Sequence, residues 1–142
     1  MLNTKALFSS VKPDWETPPE LFRSLDEEFH FTLDAASSDD NALCLRHYTL
    51  EDDGLTQPWT GAVWCNPPYG REVGKWVKKG ADAAESGEAT VVMLLPARTD
   101  TRWFHDYIYH KAEVRFLRGR LKFSGSRVSA PFPSMLAIFR RH

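Results

Sequence analysis

Residues 62–70 read Ala62-Val63-Trp64-Cys65-Asn66-Pro67-Pro68-Tyr69-Gly70, an apolar run that stops at an amide followed by two prolines. Four apolar residues closed by such a turn form a short buried strand. Each proline fixes its own φ and lacks an N–H, so neither can extend a strand ladder. Rigid polar backbone at the end of a strand sits at the carboxyl edge of its sheet, where open α/β sheets bind their ligands.

Downstream, Val73, Trp76, Val77, Ala81 and Ala84 recur at helical spacing, and Gly87 supplies the turn after them. Residues 90–96 are a continuous apolar run suited to a central strand buried on both faces. Thr99 or Asp100 can cap a further helix carrying Trp103, Phe104, Tyr107 and Ile108. Two more strands are expected near 113–123 and 134–139, with residues 124–131 as a polar loop between them.

Upstream, Thr17-Pro18-Pro19-Glu20 has the form of a capping box and starts a helix over about 18–28, with Leu21, Leu25 and Phe29 on one face. Residues 31–34 form a short strand ending in Asp34, and residues 46–49 a weaker one before the acidic turn at 51–54. This alternation predicts a three-layer α/β fold, a mainly parallel sheet with a terminal antiparallel hairpin. Residues 1–142 read as a single domain, with 1–13 a flexible arm.

Composition narrows the class. A chain of 142 residues with 42% apolar and 13% aromatic content sustains a real core, burying roughly 70% of its unfolded surface. Its N-terminal stretch lacks the uninterrupted apolar segment of a signal peptide or membrane span. Cys44 and Cys65 have no paired spacing, which argues against a disulfide framework and for reduced thiols in a cytoplasm. Cys65 reads as a packing thiol rather than a nucleophile. The five histidines show no ligand spacing, so no metal is assigned.

The net charge of −1 hides a division: residues 1–97 carry 8 basic against 16 acidic side chains, and residues 98–142 carry 10 against 3. Arg98, Arg102, Arg118, Arg120, Lys122 and Arg127 are therefore candidate phosphate contacts, because basic side chains gain affinity by releasing counterions from nucleic acid. Solvated surface charge is the competing reading, as it is for the 124–131 loop.

The chemistry centres on Asn66, Pro67, Pro68 and Tyr69. The Asn66 side-chain oxygen and the Pro67 carbonyl can both accept hydrogen bonds from one amino group. An amine conjugated with an aromatic base is a poor nucleophile, and two such acceptors favour the positive charge that develops on its nitrogen during attack. Tyr69 offers a face for a planar base. The alternative is a Pro-Pro turn with Tyr69 covering the core.

Asn66-Pro67-Pro68-Tyr69 resembles the catalytic motif of adenine amino-methyltransferases. Together with Trp15-Glu16-Thr17-Pro18, Leu33-Asp34-Ala35-Ala36, Leu95-Pro96-Ala97-Arg98 and Pro131-Phe132-Pro133-Ser134, it resembles the small phage-type DNA adenine-N6 methyltransferases. The resemblance implies a Rossmann-like S-adenosylmethionine-dependent fold with seven strands. It also implies methyl transfer to the exocyclic N6 amine of adenine in duplex DNA, with Asn66 and Pro67 on the amine and Tyr69 stacked on an extruded base.

Trp15, Thr17 and Pro18 become donor-pocket residues on the same ground. Asp34 stands where many methyltransferases have a glycine-rich loop, which this chain lacks, and is assigned to the donor's amino or ribose groups. Asp53 is a second choice for its ribose or adenine, against a solvated acidic turn. RNA or protein glutamine as acceptor, and an inactive DNA-binding homologue, remain open. A monomer suffices, no membrane is involved, and the implied compartment is a bacterial host cytoplasm, with restriction or regulation as the purpose.

Overall fold

A computed structural model describes residues 15–142, so the arm expected at 1–13 lies outside the described residues. Helix α1 covers Pro19–Phe29 and α2 Val73–Glu85. The strands are β1 Leu33–Asp34, β2 Gly61–Cys65, β3 Ala89–Pro96, β4 Glu113–Phe116 and β5 Ser134–Phe139. A 3-10 turn at Gly54–Thr56 precedes β2, and a π-helical turn at Phe104–Ile108 precedes β4.

The strands form one mixed sheet in the order β1-β2-β3-β5-β4. β1, β2 and β3 are parallel, and β5 lies antiparallel between β3 and β4. The antiparallel end is as expected; among the described residues the sheet has five strands rather than the seven that the resemblance implies.

Alternation along β3 builds the layers. Val91, Met93 and Leu95 pack with Trp76, Val77 and Ala84 of α2, whereas Val92 and Leu94 pack with Phe22 and Leu25 of α1. Successive side chains of a strand point to opposite faces, so a strand with a helix on each side has to be apolar throughout. All five of these β3 side chains are fully buried, each contributing about 1.5–3 kcal/mol.

Local expectations are met unevenly. α2 ends where expected: Gly87 takes a left-handed φ of 84°, and the Glu88 amide closes on the Ala83 carbonyl at 3.0 Å. In α1 the buried pair is Phe22 and Leu25, with Leu21 and Phe29 only half-buried. The capping box does not form: Pro18 occupies the cap position without a side-chain bond, and the Thr17 hydroxyl is engaged elsewhere.

The helix expected after 99 contracts to the π-helical turn. Trp103 takes its cap position without a side-chain bond, and it is the Thr101 hydroxyl, not Thr99 or Asp100, that accepts from the Phe104 amide at 3.3 Å. The weak strand at 46–49 reduces to a single bridge between Asp34 and His47. β4 stops at Phe116 instead of reaching 123, because Gly119 turns the chain with a φ of 74°. The loop that follows folds back and buries Phe123 and Ala130, so it is not wholly solvated.

Candidate active site

Everything in the site hangs on the carboxyl ends of the parallel strands. β1 ends at Asp34 and β2 at Cys65, one residue before Asn66. Pro96 at the end of β3 pairs with Ser134 at the start of β5, and the Leu117 amide after β4 bonds to the Ser134 carbonyl at 3.1 Å. Loops that leave β1, β2, β3 and β4 therefore emerge on one edge.

Asn66 is held by a strap of chain preceding α1. Its Nδ2 donates to the Trp15 carbonyl at 2.6 Å and to the Thr17 hydroxyl at 3.2 Å. Its Oδ1 is buried and has no hydrogen-bond partner. A buried acceptor without a donor costs about 1–3 kcal/mol, and such groups in native proteins call for a functional reason. No backbone amide among the described residues donates to the Pro67 carbonyl beside it.

The strap is fixed from its other side. The Trp15 ring packs against Phe123 at 5.3 Å and Phe132 at 5.5 Å, and the Glu16 carbonyl accepts from the Ser124 amide at 2.9 Å. The loop after β4 thus braces the segment that grips Asn66.

Two adjoining cavities open on this edge, and Trp15, Ala36, Ser37, Asn41 and Asn66 line both. One, of about 370 Å³, adds Thr17, Asp34, Trp64 and Ser124. The other, of about 500 Å³, adds Tyr48, Asp53, Gly54, Pro67, Pro68 and Trp76. Both volumes fall within the range of roughly 300–1,000 Å³ usual for small-molecule sites.

Asp34 is 2% exposed. Its carboxylate accepts from the Leu43 amide at 3.0 Å and more weakly from the Ala36 amide at 3.4 Å. Burial pushes its pKa up to about 6, against the opposing effect of those amides. Burial likewise raises the Cys65 thiol and the Tyr69 hydroxyl. Cys65 is fully buried, as a packing thiol should be.

Residues 4–141 match the DNA N-6-adenine-methyltransferase (Dam) family. The chain belongs to that family. It is similar to the DNA N-6-adenine-methyltransferase of Escherichia phage T1, 34% identical over 115 residues that cover 79% of this chain and 48% of the phage protein. It is also similar to the protein of that name from Haemophilus phage HP1, 29% identical over 146 residues, 96% of this chain and 82% of the phage protein. The chain thus spans about half the length of the T1 relative and four-fifths of the HP1 one.

Against this Dam-family background, the structure brings together most of the residues singled out from sequence. Trp15, Thr17, Asp34, Asp53, Asn66, Pro67 and Pro68 all line one or both cavities. Pro18 lines neither, and Pro19 takes the place at the cavity wall. Asp53 is exposed and caps the 3-10 turn through the Leu55 amide at 3.3 Å, with a left-handed φ of 56°, so the acidic-turn reading also holds for it.

Tyr69 is half-buried, and the lining of neither cavity includes it. Its hydroxyl donates to the Leu94 carbonyl at 3.0 Å, and its ring meets Phe132 edge-on at 5.6 Å. The six basic candidates have no carboxylate partner among the described residues, whereas Arg115 and Arg140 are tied to Glu28 and Glu113. All six, Arg98, Arg102, Arg118, Arg120, Lys122 and Arg127, are exposed. Arg98 and Arg102 follow β3; Arg118, Arg120, Lys122 and Arg127 lie in the loop after β4.

Sequence reasoning missed Ser37, Asn41, Tyr48, Ser124 and Trp76 as cavity residues. Trp76 was legible only as a core position of α2, and no local signal places the loop at 48–57 over it. Gly54 carried no signal either, yet a Cβ there would stand 2.3 Å from the Ala35 carbonyl. Among the described residues no group of three His, Cys, Asp or Glu side chains is arranged to hold a metal, and no helix is long and apolar enough to cross a membrane.

Proposed function

We propose that this protein transfers a methyl group from S-adenosylmethionine to the exocyclic N6 amine of adenine in duplex DNA, on a Rossmann-like methyltransferase fold. The observation that carries the reading is the Asn66 oxygen, a buried acceptor without a donor at the carboxyl end of β2.

When bound, S-adenosylmethionine supplies an electrophilic methyl group on a sulfonium. The chain's own residues do the rest. Asn66 Oδ1 and the Pro67 carbonyl accept from the target amine and stabilise its developing positive charge without removing a proton beforehand. Asp34, with its raised pKa of about 6, is ionised at neutral pH and suits a cationic amino group. Trp15, Thr17 and Asp53 complete the donor's surroundings, and the indole N–H of Trp64, buried without an acceptor, fits a polar ligand in the smaller cavity. Tyr69 provides the aromatic surface next to Pro68, and extrusion of the base supplies access that a stacked, paired amine denies.

The unpaired basic side chains support a nucleic-acid acceptor, since they follow β3 and β4, whose carboxyl ends lie on the same sheet edge as that of β2. A monomer holds every group the reaction needs. DNA of a phage or its bacterial host is the target, in the host cytoplasm, where methylation alters restriction or regulation. Duplex DNA, RNA and protein offered side by side with labelled donor separate the acceptors: label in DNA alone supports the proposal, and label confined to RNA or protein rejects it.

A further inference from the structure

The Asn66 carboxamide has two orientations, related by a half-turn about a soft terminal torsion. Only one of them turns the oxygen toward an incoming amine; the other sets one donor against another. The torsion has to be held from behind. At 2.6 Å, the group facing the Trp15 carbonyl has to be the amide nitrogen, because a carbonyl cannot donate. That bond engages one N–H, and the Thr17 hydroxyl, 9% exposed, lies 3.2 Å from the same nitrogen.

We infer that Thr17 is a positioning residue for methyl transfer: its hydroxyl, with the Trp15 carbonyl, locks the Asn66 amide so that Oδ1 faces the acceptor amine. Three observations converge on this. Thr17 is released from the local task its sequence suggests, since the cap of α1 is Pro18 and carries no side-chain bond. Its partner lies 49 positions away at the end of β2. The only unsatisfied atom of the Asn66 side chain is the oxygen that the lock leaves free. The inference rests on the methyl-transfer reading for its consequence, but not for the contact itself.

Two hydroxyl-free variants of different volume, Thr17→Val and Thr17→Ala, test it beside Thr17→Ser. At saturating donor both hydroxyl-free variants should lose roughly tenfold or more in kcat, the scale on which small misplacements act, with DNA KM within about twofold of the wild-type value. Thr17→Ser should return kcat toward wild type. In a ¹⁵N-labelled sample the Asn66 side-chain amide resonances, assigned by their absence from Asn66→Ala, should shift in Thr17→Val and return in Thr17→Ser.

A wild-type kcat in both hydroxyl-free variants would overturn the inference, as would a loss confined to donor affinity or unmoved Asn66 resonances. If the wild type labels no DNA, the methyl-transfer reading itself falls, and the resonances still decide the Thr17 contact.

Discussion

Asn66 donates to the Trp15 carbonyl at 2.6 Å across 51 positions of chain, so the strap before α1 and the turn after β2 form one unit. The Trp15 ring sets where that carbonyl lies, because it is clamped by Phe123 and Phe132. Trp15→Ala keeps the carbonyl but loses the clamp. The ring is half-buried, so the cost should be about 2 kcal/mol, below the roughly 3–5 kcal/mol of a fully buried Trp→Ala. Denaturant unfolding measures this, and turnover should fall with it; wild-type stability and turnover together would refute the brace.

Asp34 gives a pH dependence of defined sign. Its proton is lost near pH 4 in the unfolded chain but at about pH 6 in the fold, because burial disfavours the charge. Over that window the folded state holds the extra proton, so this group's contribution to stability declines as pH rises from about 4 to about 6 and is level above. The gap corresponds to roughly 3 kcal/mol. Unfolding free energies of wild type and Asp34→Asn across this range should show the wild type losing ground as pH rises; a constant difference would deny the shift.

A Cβ on Gly54 would stand 2.3 Å from the Ala35 carbonyl and 3.0 Å from the Trp76 ring. The nearest obstacle is backbone, so Gly54→Ala has to displace the loop over the larger cavity. We expect about 1–3 kcal/mol of destabilisation and weaker donor binding, read by unfolding and by calorimetric titration. Unaltered values in both would show that the approach is not required.

Arg120 and Lys122 are exposed and unpaired among the described residues. Replacing either with Ala should weaken duplex binding evenly across sequences and flatten the plot of log affinity against log salt by about 0.9 for each phosphate no longer neutralised. Equilibrium binding at several salt concentrations measures the slope; an unchanged slope would assign these side chains to plain surface charge.

Much of this was legible in sequence because the signals were local. The apolar run of β3 needs no partner to be read as a doubly covered strand, and Asn66 after a buried strand needs only the two prolines to be placed at a sheet edge. What was not legible depends on distant partners. Thr17 has the form of a helix cap, yet its hydroxyl bonds to Asn66, and nothing within a few residues signals that exchange. β4 is shorter than its pattern because Gly119 turns the chain toward the strap, which Ser124 and Phe123 then brace. Pro18 and Pro19 are equivalent on paper; the helix start decides which one reaches the cavity.

Methyl transfer to adenine is tested most simply by incubating purified protein with labelled S-adenosylmethionine and unmethylated duplex DNA, then digesting the DNA to nucleosides. Label should appear in N6-methyldeoxyadenosine with the wild type and vanish with Asn66→Ala, which should still fold and bind the donor. Label in another nucleoside, undiminished label from Asn66→Ala, or donor binding with no label in DNA would contradict the proposed reaction.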